Sequence, residues 1–245
     1  MGIELEIDDA GEDEEHAGEI YRTANIAAGH LYLKHDGSLC NGFELVSHPM
    51  TIEYHKNKMP WRNVLNRAIH MGYRSHQTDT CGLHIHVSRL ALGDKFEEQE
   101  SVTARLVFFY EKFWSEMLRF SRRTEEQANR WSSRYGGVLS TCKNSLDTAK
   151  KAGLGRYTAV NLTNKATIEF RIFRGTLRYE TFIETLEFTH CLCCLAMKLD
   201  DERFQSVSWR DFVSGINKTE YPELINYLRI RGLYRNENAE GTEDI

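Results

Sequence analysis

The sequence predicts a single α+β domain with a largely antiparallel sheet and helices packed on one face. Three observations carry that expectation. Short segments alternate apolar and polar residues, as in Ile3-Glu4-Leu5-Glu6-Ile7 and Leu83-His84-Ile85-His86-Val87. Between them run longer stretches with apolar residues at helical spacing. No internal repeat or low-complexity linker divides the chain, and 245 residues at 41% hydrophobic content can bury one large core.

Residues 3–7 read as the first strand, and the acidic, Gly-containing stretch after it reads as a loop. Residues 21–34 fit either periodicity. Lys34-His35-Asp36-Gly37-Ser38 is turn chemistry, and residues 42–48 read as a second strand. Pro60 and Gly72 bracket a helix carrying Val64, Leu65, Ala68 and Ile69. Residues 82–88 give a third strand. Residues 98–120 form the clearest helix, with Val102, Leu106, Phe109, Phe113, Met117 and Phe120 on one face. Residues 124–131 read as a short helix and 132–156 as a polar, mobile loop. Residues 157–163 and 166–174 read as two strands around a turn at Asn164-Lys165. Residues 180–199 read as a buried helix, and 209–216 and 222–230 as short closing helices. One folded domain is expected over 1–235, followed by a flexible acidic tail over 236–245.

The net charge of −5 first argues against anionic partners, but its distribution reverses that inference. Seven acids and no Lys or Arg lie between Asp8 and Glu19, and four acids without a Lys or Arg lie between Asn236 and Ile245. With Glu4 and Glu6 also set aside, residues 20–235 carry about +8. No apolar run approaches the length of a membrane span, and no signal peptide is visible at MGIELEID. The six cysteines read as reduced, buried thiols of a cytoplasmic protein.

The polar residues inside the strands carry the chemistry. Residues i and i+2 of a strand share a face. Glu4 therefore points with Glu6, His84 with His86, and Glu169 with Arg171, while Glu44 stands on a fourth strand. One strand of this kind is ordinarily the wet face of a sheet. Four of them crowd carboxylates that repel one another unless cations lie among them. Carboxylates with imidazole suit Mg²⁺ or Mn²⁺. Zinc on Cys81, His84 and His86 is the rival, weakened because a strand would place Cys81 on the opposite face. No P-loop or dinucleotide glycine fingerprint occurs.

In this order, GIELEI, DGSL with GFELVSHPM, CGLHIHVS, and RYTAVNLTN with TIEFRIFRGTL, the motifs resemble the putative amidoligase family, which is related to glutamine synthetase and glutamate–cysteine ligase. They span roughly residues 2–178. The resemblance implies a curved antiparallel sheet, like the glutamine synthetase catalytic domain, whose concave face holds ATP and two or three Mg²⁺ (or Mn²⁺). It implies a carboxylate–amine ligase working through an acyl phosphate. It also implies metal ligation by Glu4, Glu6, Asp36, Glu44, His84 and Glu169, and nucleotide contacts from His84, His86, Arg171 and Asn161. Arg171, Arg174 and Glu169 then serve the chemistry, and Arg156, Tyr157, Asn161 and Arg174 line the substrate pocket. The partner is a small molecule or peptide supplying a carboxylate and an amine.

Three other readings stand beside this one: a guanidino-kinase-like phosphotransferase, a metal-dependent hydrolase using the His pair, and a non-catalytic phage or bacterial structural or binding protein. The arginines of 119–134, with Phe120 and Trp131 interleaved, also fit nucleic acid, although a solvated helix face is the favoured reading. Gly136-Gly137 and Arg134-Tyr135 mark a loop that would close over an intermediate, although an ordinary surface loop is the favoured reading.

Overall fold

A computed structural model describes residues 1–136 and 141–235. The expected tail at 236–245 lies outside them, as does Gly137. Six strands form one open antiparallel sheet: β1 (Gly2–Ile7), β2 (Leu31–Lys34), β3 (Phe43–Ser47), β4 (Leu83–Ser88), β5 (Val160–Asn161) and β6 (Thr167–Phe170). Their order is β2-β3-β1-β4-β6-β5. The first strand is thus central, flanked by β3 and β4.

Alternation within the strands gives the sheet two unlike faces. Ile3, Leu5, Ile7, Leu45, Leu83, Ile85, Ile168 and Phe170 are all buried on the apolar one. They join one continuous core with the helices α3 (Trp61–His70), α4 (Phe96–Lys112) and α8 (Tyr179–Lys198). Tyr110 of α4 lies over Phe170 of β6, with ring centroids 5.5 Å apart. Phe109 packs on Phe113 at 4.8 Å and Phe212 at 5.0 Å, and touches Phe188, Phe204 and Trp209 as well. Burial on this scale is the main source of stability.

Several elements depart from the sequence reading for identifiable reasons. Half of the acidic stretch after β1 is helix: α1 (Glu14–Ala24) starts at Asp13, whose carboxylate accepts from His16 N at 2.9 Å, and Glu14 and Glu15 occupy its first turn. Acids there face the positive end of the helix and favour it. The expected helix 98–120 is two, since the chain breaks at Phe113 (φ −108°, ψ 37°) before α5 (Trp114–Ser121). The Lys112 ammonium at the break donates to the Gln205 and Val207 carbonyls, each at 2.7 Å. Helix α6 (Glu125–Trp131) follows as expected, with a capping box between Thr124 and Gln127.

The expected loop 132–156 contains α7 (Cys142–Lys151). Only small or short residues, Cys142, Ser145, Leu146 and Ala149, make its buried stripe, which hides the periodicity. Two short helices, α2 (Ile52–Asn57) and α9 (Asp201–Ser206), were not anticipated, whereas α10 (Trp209–Gly215) and α11 (Pro222–Ile230) were. Among the described residues no helix is long and apolar enough to cross a membrane. All six cysteines are free; Cys81, Cys142 and Cys193 are buried, but Cys40 is exposed.

Phe109 joins α4 to the C-terminal helices, so Phe109→Ala is expected to lower unfolding free energy by about 3–5 kcal/mol, measured by urea denaturation.

Candidate active site

The polar face of the sheet is assembled by register. Glu6 of β1 stands directly opposite Glu44 of β3, and Glu4 directly opposite His84 of β4. His86 is opposite Glu169 of β6, which is in turn opposite Asn161 of β5. Lys34 of β2 faces Glu44. Directly opposed residues of antiparallel strands share a face. Glu4, Glu6, Asp36, Glu44, His84, His86, Asn161, Glu169 and Arg171 therefore line one cleft, with Arg156 and Tyr157.

The groups are close and mostly buried. His84 Nδ1 is 3.5 Å from Glu4 and 3.7 Å from Glu169, and its Nε2 is 3.9 Å from Glu6. His86 Nε2 is 3.3 Å from Glu4. Three groupings place their ligand atoms within 4.8 Å of one another: Glu4, His86 and Glu169; Glu4, Glu44 and His84; Glu6, Asp36 and Glu44. Such an all-oxygen and imidazole set has the chemistry of a Mg²⁺ or Mn²⁺ site. Arg171 also leaves its buried Nε without a partner. The residues present thus fit divalent cations binding beside an anionic ligand. Among the described residues no cysteine joins a cluster of this kind, which leaves zinc without its thiolate.

Without such cations the acids are held by nearby bases. The Lys34 ammonium is 2.8 Å from Glu44, and the Arg171 guanidinium donates to Glu169. Burial and the neighbouring Glu4 charge push Glu44 up to about 8. Burial would raise Glu4 too, but hydrogen bonds with His84 and His86 outweigh it and hold Glu4 below the usual carboxylate range. Burial raises Glu6, against the pull of His84 and a bond from Gly82 N. At Asp36 the burial effect is overcome by hydrogen bonds from Ser38, N–H at 2.8 Å and hydroxyl at 2.6 Å.

Surrounding groups fix this geometry. Asn161 Nδ2 donates to Glu169 at 2.7 Å and Asn164 Nδ2 to the same oxygen at 3.2 Å. Gly82 leaves room for His84: a Cβ there would lie 2.6 Å from His84 Nε2 and 3.2 Å from Arg123. Tyr157 closes the rim, with Arg156 bonded to its hydroxyl at 3.0 Å and Arg171 5.8 Å from its ring centre.

Arg174 is the expected site residue that does not line the cleft. Strand β6 ends at Phe170, and Arg174 pairs with Gly82 through an isolated backbone bridge. Arg123, assigned from sequence to a basic helix face, lines the cleft instead. It is 6% exposed and donates to the Ile172 carbonyl at 3.0 Å; burial lowers it to about 10. Lys34, Thr80, Trp131, Thr163 and Asn164 also line the cleft without having been singled out there. Lys34 was visible, since it lies two residues before Asp36. The Arg134-Tyr135 segment is pinned rather than free, for buried Glu111 accepts from Arg134 Nε at 3.1 Å and Tyr135 N at 2.7 Å.

A family model described as putative amidoligase enzyme matches residues 5–193, which holds most of these side chains. The chain belongs to this family. A comparison with curated proteins found no match. In this amidoligase-family chain the match runs from within β1 into α8, so it covers β2 to β6 and the second half of β1.

Folded Glu44 keeps its proton to about pH 8, whereas the unfolded carboxyl loses it near 4.5. Stability from this group is therefore full below the unfolded value and is lost as pH rises toward 8. Glu44→Gln, a mimic of the protonated carboxyl, is expected to raise the thermal midpoint more at pH 8 than at pH 5 in chelator-treated buffer, read by calorimetry.

Proposed function

We propose that the chain is an ATP- and Mg²⁺-dependent carboxylate–amine ligase that forms an amide or peptide bond through an acyl phosphate. One observation carries this reading: five carboxylates, two imidazoles and the arginines 123, 156 and 171 converge on one cleft in a chain of the amidoligase family. A carboxylate does not condense with an amine in water without activation. Attack of the carboxylate oxygen on the γ-phosphorus of ATP gives an acyl phosphate and ADP. Attack of the amine on the acyl carbon then releases phosphate, and the nitrogen loses a proton.

Divalent cations held by Glu4, Glu6, Asp36, Glu44, Glu169 and the His pair would neutralise crowded phosphate oxygens. The chain's own residues do the rest. Arg171, with its spare Nε, suits a two-pronged grip on a phosphoryl or carboxylate group. Arg123 is buried in the wall and adds a fixed positive charge, so no reorientation is needed as charge moves. Arg156 and Tyr157 stand at the exposed rim, where a carboxylate substrate enters. Asn161 acts through Glu169 by fixing its orientation.

Glu6→Gln and Glu169→Gln are each expected to lower ATP turnover at least 100-fold, measured as ADP release, with the circular dichroism spectrum unchanged. Full activity in both would remove the cation-site reading. Mass spectrometry of the product separates a ligase, which makes an amide, from a phosphotransferase, which makes a phosphorylated acceptor.

Cation binding at pH 7 should release protons, because Glu44 must ionise. Mg²⁺ affinity is therefore expected to rise between pH 6 and 8, measured by calorimetry in buffers of differing ionisation enthalpy.

A further inference from the structure

A second cleft adjoins the first at Arg122-Arg123. Its walls come from α3, the segment after Gly72, the start of α8, and α11. Its volume is about 730 Å³, within the range of about 300–1,000 Å³ typical of small-ligand sites. The two clefts share the turn at Arg122-Arg123. Arg123 lines the first, whereas Arg122, in the left-handed region at φ 63°, lines the second.

The charge of this second cleft differs in sign. Its walls carry Arg62, Arg74, Arg122, Arg178 and Arg231 against only Glu180 and Glu184. Glu180 is already engaged by Arg62 at 3.0 Å. The field inside favours an anion and opposes a cation.

Two buried polar atoms in the walls lack partners. Glu184 is 4% exposed, and its Oε1 has no hydrogen-bond partner. Arg122 gives one terminal nitrogen to the Arg174 carbonyl at 2.8 Å and has the other 3.4 Å from His76 Nδ1, but its buried Nε is without a partner. Burial pushes Glu184 up to about 9, against the pull of Thr181, Arg122 and Arg178. At neutral pH its carboxyl is then a hydrogen-bond donor, as is Arg122 Nε. Unsatisfied buried donors are costly and call for an acceptor. An oxyanion supplies acceptor oxygens to both and opposite charge to the arginines.

We propose that this cleft is a second ligand site, taking the phosphoryl or carboxylate group of a small anionic molecule between Arg122 and Glu184. Amine, metal and other cationic ligands are disfavoured there. The site is independent of the ligase reading, since no residue argued for catalysis belongs to it.

The test is calorimetric titration of the full chain with inorganic pyrophosphate and, separately, citrate, at pH 7 and fixed ionic strength with EDTA present. Wild type, Arg171→Met and Glu184→Gln are expected to bind at least one probe with similar affinity, because Gln keeps a donor. Arg122→Met and Glu184→Leu are expected to bind it at least tenfold more weakly. Binding of pyrophosphate alone identifies a phosphoryl ligand, and of citrate alone a carboxylate. Failure of both probes to bind wild type overturns the proposal, as does unchanged affinity in Arg122→Met or a loss confined to Arg171→Met. Should Arg122→Met not fold, Arg178→Met, at an exposed position, carries the same expectation and the same reversal.

Discussion

Glu6 and Glu44 face each other across adjacent strands, and Glu4 lies two residues away on the same face. Two carboxylates at this spacing cannot both be ionised in a buried setting without positive charge between them. Everything around the cleft answers that constraint. Lys34 sits on Glu44, the two His rings lie among Glu4, Glu6 and Glu169, and Arg171 reaches Glu169. At Glu44 a proton completes the neutralisation, held to about pH 8 by burial and the neighbouring Glu4 charge. In the proposed ligase, divalent cations and a phosphate-bearing nucleotide would supply the charges that this face lacks.

The rest of the fold keeps the strands in the register that this face needs. The opposite side of every strand is apolar and shares the core with α4 and α8. A slip of one residue would exchange Leu5 and Ile85 for Glu6 and His86 in that core. The register is therefore enforced by burial of the apolar face. At the cleft itself the fixing is local: Gly82 leaves space for His84, and Asn161 with Asn164 aims Glu169.

Period-two alternation made the sheet legible in the sequence. It placed Glu4 with Glu6, His84 with His86, and Glu169 with Arg171 before any packing was known. Long-range pairing was not legible. Nothing in the chain says that Lys34 opposes Glu44, or that β1 lies between β3 and β4. Arg123 illustrates the same limit: among neighbouring arginines it reads as a solvated helix residue, but the turn at Arg122 carries it into the cleft wall. Arg174, expected there from the family resemblance, does not line the cleft, since β6 ends four residues earlier. Helix α7 escaped because its buried stripe has almost no large apolar side chain.

The position of β1 has a consequence for the order of assembly. Strand β1 is central, and Glu169 of β6 lies 165 positions beyond Glu4. Closing that separation costs chain entropy before the contacts reward it. During synthesis the first hairpin-like layer, β1 with β3 and β2, can form while the His and Glu169 side of the cleft does not yet exist. In that layer Lys34 alone among the site's bases opposes the acids, and the full set of charges comes together only when the sixth strand docks.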